Sequence, residues 1–212
     1  MNNKSKAMIA GVSEAAIEAI KLLPGAGSLI EGVRKYHHHI EEQQREEFVR
    51  LLSERLEKIE EDLEWYSTES GERFVRKTFA TALNAEYADK LEFLANALVN
   101  GPSLGNDDAH RLKFIEMIRS LSRPALNVLV ASLNHPIKTD QIIIEELATY
   151  MKWPPHLVDA CVAELRSYGA YSSVISWNVG RDGTVSKSQY LDGNGCAKTS
   201  LTRRFAQFIA EQ

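Results

Sequence analysis

Apolar side chains recur at helical intervals through most of the 212-residue chain. In residues 7–23, "AMIAGVSEAAIEAIKLL", the positions Gly11, Glu14, Glu18 and Lys21 fall at steps of three and four, in one narrow stripe of a helix. The rest of that circumference is Ala, Ile, Leu, Met and Val, so the helix must be covered on most of its sides. Pro24 and Gly25 end it, because Pro lacks an amide hydrogen and Gly tolerates the left-handed exit. Ile30, Val33, Ile40, Phe48, Leu52, Leu56, Ile59 and Leu63 then mark one stripe and predict a single long helix over about residues 28–63. At ~1.5 Å per residue it would reach on the order of 50 Å, long enough to pair along its length with other helices or with a copy of itself. "STESGE" is a break, and helices follow over about 71–84, 86–100 and 107–121, the last with Leu112, Ile115, Ile118 and Leu121 inward.

Beyond residue 121 the texture changes. Ser122 is a cap for a helix with Pro124 in its first turn, and "KTDQIIIEELATYM" and "PPHLVDACVAELRSYG" predict two more helices. "SSVISWNV", "GRDG" and "TVSKSQYL" read as strand, glycine turn and strand, and "TSLTRRFAQFIAEQ" as a closing helix. Three helices, a hairpin and a helix is the order of a winged helix. The expected fold is mainly α: an elongated helical bundle with a long helix in residues 1–121, then a winged-helix-like α+β domain in residues 122–212.

Composition narrows the function classes. The chain has a net charge of −4, with 44% hydrophobic and 25% charged residues, so it buries a core and offers no general field for nucleic acid. Residues 122–212 carry 9 Lys and Arg against 8 Asp and Glu, and the acid excess lies in residues 1–121 with 16 against 21. Cys161 and Cys196 are far apart without CxxC spacing, which suits free thiols in a reducing compartment. Glu14, Glu18 and Lys21 interrupt the N-terminal apolar run, so it reads neither as a signal peptide nor as a spanning helix. A cytoplasmic location is expected, with membrane association on activation as its extension.

Motifs that carry chemistry are few. "LLPGAGSLIEG" has no lysine after Gly27 for a phosphate loop, and no strand precedes it, so it is the corner between two helices. His37, His38 and His39 point about 100° apart on a helix and cannot converge on one ion. Asp107 and Asp108 in "DDAH" are explained by helix capping and the helix dipole. Cys196 sits in a glycine-rich loop without a partnered histidine in view. No cofactor and no metal are expected.

DNA binding is the main rival reading of the second half. There the third helix, 155–168, would enter the major groove and the hairpin would touch phosphate. That helix offers His156, Asp159, Glu164 and Arg166, while Leu157, Val158, Cys161, Val162, Leu165 and Tyr168 read as its core stripe. Arg181 and Lys187 on the wing and Arg203 and Arg204 on the last helix are the candidate phosphate contacts. Four cations do not make a basic face, which favours a domain used for packing or protein contact.

From residue 86 to residue 134, "KLEFLANALVNG", a loop, and "HRLKFIEMIRSLSRPALNVLVASL" resemble the helical Abi-alpha (abortive infection) proteins of prokaryotes. In that family a helix ending in an "LLAN"-type motif joins "FIEIL..LSP....LL"; Leu94, Ala95, Asn96, Phe114, Ile115, Leu121 and Ser122 hold the matching places. Arg123 beside Pro124 departs from the pattern, within a longer tail. The resemblance implies anti-phage defence by shutdown of the infected cell, with no active site to carry over. The expectation is therefore a non-enzymatic helical protein acting through protein contacts, self-association or a membrane. Its candidate surface is Ile9, Val12, Ile17, Ile20, Leu23 and Leu29, and its alternative is a DNA-binding regulator dimerising through the long helix.

Overall fold

Leu91–Asn100, "LEFLANALVN", is apolar apart from Glu92, Asn96 and Asn100, and every residue but Glu92 is buried, so the helix is stable only when surrounded. The computed structural model describes residues 20, 22–24, 39–105, 107–135, 141–173, 175–179, 185–189 and 195–210. They are mainly helical and divide into two units, residues 1–119 with 208–212, and residues 120–207.

The first unit contains α1 (His39–Ser53), α2 (Leu56–Glu61), α3 (Leu63–Tyr66), α4 (Glu69–Ala82), a 3-10 turn (Ala85–Lys90), α5 (Leu91–Asn100) and α6 (Asp108–Ser120). α5 is the centre, with α1 and α4 packed against it. Phe48 of α1 meets Phe79 of α4 edge to face at 5.1 Å, and both rings are buried. Such a pair contributes about 1 kcal/mol beyond the area it removes from water.

Residues 28–38 of the helix expected over 28–63 lie outside the described residues, and from His39 onward the chain forms three helices instead of one. Arg55 supplies the physical reason. Its Nη1 donates to the Leu51 carbonyl (2.8 Å), which the Arg55 N–H would take in an unbroken helix, and that N–H turns to Leu52 O (3.0 Å). A second corner falls at Asp62, whose N–H bonds back to Ile59 O.

α4 opens on Thr68, whose hydroxyl accepts the Gly71 N–H (3.1 Å) and donates to Trp65 O (2.7 Å). Lys77 of α4 and Arg119 both reach Glu116 on α6, at 2.5 and 2.8 Å. The Lys77 hydrogen bond is the main force holding the Glu116 carboxyl below its ordinary value of 4.5. A depressed folded-state value means that this stabilisation is present above about 4.5 and is lost as pH falls through the lower, folded value. Because the pair is half-exposed, Glu116→Gln should cost under about 1 kcal/mol at neutral pH. It should also make the acid limb of a urea-stability profile shallower, with no difference from the native chain at the lowest pH.

The second unit contains α7 (Arg123–Asn134), β1 (Gln141–Ile143), α8 (Ile144–Met151), α9 (Pro155–Ser167), β2 (Tyr171–Ser173), β3 (Ile175–Val179), β4 (Val185–Gln189), β5 (Gly195–Lys198) and α10 (Ser200–Ile209). The last turn of α10, from Phe208, groups with the first unit. β1, β5 and β2 form an antiparallel sheet in that order, with Ile142 opposite Cys196 and Ser172 opposite Ala197. β3 and β4 form the expected hairpin, with Trp177 opposite Lys187. β1 is a departure, since "QII" was read as part of a helix; its β-branched pair suits the edge of the sheet.

The cap expected at Ser122 is present. Its hydroxyl accepts the Ala125 N–H, while its own N–H and O–H donate to the Glu164 carboxylate on α9 at 2.5 and 2.6 Å. This links the start of α7 to α9, which pack together. α8 ends on Lys152 at φ +57°, with the Lys152 N–H on Thr149 O and the Trp153 N–H on Ala148 O. A left-handed position costs an L-residue about 1 kcal/mol that glycine does not incur. Lys152→Gly should therefore raise stability by up to about 1 kcal/mol, read as a higher melting temperature.

Candidate functional site

A cleft of about 190 Å³ in the first unit is lined by Glu54, Arg55, Glu57, Lys58, Asn96 and Asn100 among others. Asn96 and Asn100 stand one turn apart on α5, a spacing that sets both carboxamides on one face. Both are buried. Asn96 Oδ1 accepts from Arg55 Nε (2.8 Å), and its Nδ2 donates to Ile209 O (3.1 Å). Asn100 Nδ2 donates to Phe208 O (3.2 Å) and Ala210 O (3.0 Å). The last carbonyls of a helix have no partner within it, and here two amides supply them. Phe208 is fixed at the same place, 5.9 Å from the Phe74 ring and 5.3 Å from that of Phe114. Carboxamides do not titrate, so what this cluster does chemically is seize a helix end. Asn96, met in the sequence as part of a packing motif, is one of its two jaws.

A second polar cluster surrounds Arg111, whose side chain is 1% exposed. Nε donates to Gly101 O (2.8 Å), Nη1 faces Asp108, and the guanidinium lies 4.6 Å above the Trp65 ring. Burial lowers its pKa, and the Asp108 carboxylate opposes that shift. Its Nη2 has no hydrogen-bond partner among the described residues, and Arg111 lines a void of about 10 Å³, room for a single water. Asp108 also accepts from Ser70, and Asp107 accepts the His110 N–H (3.2 Å). The "DDAH" carboxylates thus serve a helix start and a buried arginine.

A hydroxyl, a phenol and an ammonium meet in the second unit, residue types that activate nucleophiles elsewhere. Tyr171 Oη donates to Ser132 Oγ (2.6 Å), which donates to Leu129 O (2.7 Å). Lys198 Nζ donates to the Ser132 carbonyl and not to its hydroxyl (2.6 Å). Ser132 and Tyr171 are buried, so this is a structural network that the sequence, with the two 39 positions apart, did not reveal. Cys161 is buried too, and burial pushes its thiol up, away from the reactive thiolate.

On the surface of the second unit, α9 presents Asp159, Ala160, Ala163 and Arg166 outward. Leu157 and Tyr168, expected in its core stripe, are each 37% exposed, while Val158, Cys161, Val162 and Leu165 form the buried side. Leu157 stands about 40° from Cys161 and about 80° from Leu165 around the helix, and Tyr168 lies past the helix end, so both sit at the margin of the buried side. Neither Asp159 nor Arg166 has a partner among the described residues.

Of the candidate apolar surface, Ile9, Val12, Ile17 and Leu29 lie outside the described residues. Ile20 and Leu23 are fully buried, and Leu22 between them is exposed. Among the described residues no helix is long and apolar enough to cross a membrane. Of the candidate phosphate contacts, Arg181 lies outside the described residues and Lys187 is in β4. Arg203 is exposed and Arg204 half-buried on α10; both already have partners. His37 and His38 lie outside the described residues, and no group of three potential metal-binding side chains gathers among those described. The chain matches no protein-family model, no curated protein and no solved structure.

Proposed function

We propose that this protein acts through contacts, as a helical unit joined to a winged-helix module, in defence of the abortive-infection type. The observation that carries the contact reading is the outward side of α9. It offers Leu157, Ala160, Ala163 and Tyr168, with one acid and one base, Asp159 and Arg166, and with His156 and Ser167 toward its two ends, the Ser167 hydroxyl donating to Glu164 O. Reading a major groove calls for hydrogen-bonding side chains along that helix, and alanine can offer only contact to a thymine methyl group. A flat, half-apolar helix face suits a protein instead. The winged-helix reading draws support from the chain order of α7, β1, α8, α9, β2 and β5, with the β3–β4 hairpin as wing. The defence role rests on the resemblance around Asn96 and Phe114, both of which hold the end of α10.

The test is phage challenge of cells that express the chain. Protection by the native chain and its loss on Ala163→Glu support the reading; absence of protection, or protection indifferent to that change, sinks it. DNA binding is the second reading, favoured by Lys152, Arg123 and Arg166, which are exposed and without described partners in this unit. Salt-dependent binding of duplex DNA, weakened when Arg181 and Lys187 are replaced by alanine, would establish it.

A further inference from the structure

The outward side of α9 is self-complementary in one register only. At 100° per residue, Asp159 and Arg166 fall within about 20° of each other on one flank of the helix. Leu157 and Tyr168 return to within about 20° of each other on the opposite flank, counting Tyr168 as the helix's next step. Ala160 and Ala163 lie between the flanks. Both pairs are centred on the same point, between Val162 and Ala163.

A twofold axis across two antiparallel copies keeps each flank on its own side and reverses the chain direction. Asp159 then meets Arg166 of the second copy, twice, along one edge. The same register sets Leu157 against Tyr168, twice, along the other. The alanines at the centre let the axes approach to about 8 Å. A parallel pairing would set the charged flank against the apolar one and satisfy neither.

We infer that a second copy of this chain docks on α9, antiparallel, through Asp159–Arg166 and Leu157–Tyr168 contacts. The inference rests on the contact reading above and names its partner. Its charge balance, one acid with one base on the outward face while Glu164 is held by Ser122, also tells against duplex DNA here, where an excess of cations is required.

The test is sedimentation velocity of the full chain over a wide concentration range. The native chain should show a concentration-dependent dimer. Asp159→Arg and Arg166→Asp should each weaken it by about tenfold or more, because each sets like charges together twice. An equimolar mixture of the two variants should regain dimerisation, since every facing pair is then of opposite sign. Melting curves check that each variant is folded. A native chain that stays monomeric, a dimer indifferent to both reversals, or a mixture that does not regain association overturns the inference. So does duplex DNA binding that Arg166→Asp abolishes in a monomeric chain. A monomeric chain whose phage protection still falls with Ala163→Glu would leave the contact reading standing and remove only the second copy.

Discussion

Gly71→Ala should destabilise the first unit by about 3 kcal/mol in chemical denaturation, the upper range for overpacking. A Cβ at this position would sit on the Trp65 carbonyl oxygen and 2.6 Å from Tyr66 Cα. Both are backbone, so no side-chain rotation relieves the clash. The turn between α3 and α4 must open, and with it goes the geometry of the Thr68 cap. The same movement disturbs Tyr66, which is fully buried and donates its hydroxyl to Leu98 O at 2.8 Å. Arg73→Ala, two residues along and exposed, should change stability by under about 0.5 kcal/mol and serves as control. Equal midpoints for the two variants would show that α3 and α4 do not meet as described.

Arg111→Ala should cost about 3 kcal/mol or more, the usual result of truncating a large, fully buried side chain and leaving a buried carbonyl unpaired. The change deletes the bond to Gly101 O, uncovers one face of Trp65 and leaves a cavity beside Phe74. Asp108 is 41% exposed and keeps its bond from Ser70, so the loss falls on packing and on the orphaned carbonyl. Arg111→Met restores most of the volume without the charge, and buried ion pairs are often replaceable in that way. The methionine variant should therefore be clearly more stable than the alanine variant in urea titration. If alanine and methionine cost the same, the charge-assisted bonds and not the packing are what the arginine contributes.

The two errors in reading helix faces from the sequence have one origin. In α6 the inward positions Ile115, Ile118 and Leu121 are buried as their spacing predicts, yet Leu112 is only half-buried and its neighbour Arg111 takes the deepest place. Hydropathy ranks arginine as a surface residue, and only the tertiary partners Gly101, Asp108 and Trp65 make its burial favourable. In α9 the reverse holds, because Leu157 and Tyr168 have apolar side chains yet are left 37% exposed. The periodicity of a single helix reports which residues are apolar, while coverage is decided by elements far away in the chain.

Local chemistry was more legible than distant contact. Ser122 as a cap, Pro124 in a first turn and the β3–β4 hairpin follow from a few adjacent residues. The break at Arg55 depends on Asn96, 41 residues away, and β1 depends on β5. The asparagine jaws were visible as letters in a packing motif, but their grip on Phe208, Ile209 and Ala210 spans more than 100 residues.

The distance between two spin labels would test the docking of a second copy most directly. A label at His156→Cys, with Cys196→Ser to leave only the buried Cys161 beside it, reports on the ends of the paired helices. With Asp159 facing Arg166, His156 lies level with position 169 of the other copy. The two labels should then be on the order of 20 Å apart, from about thirteen residues of axial offset and the width of one helix pair. A narrow intermolecular distance near that value, absent in Arg166→Asp, is the predicted result. No dipolar coupling at concentrations where the chain is dimeric, or a separation about twice as long, would contradict it.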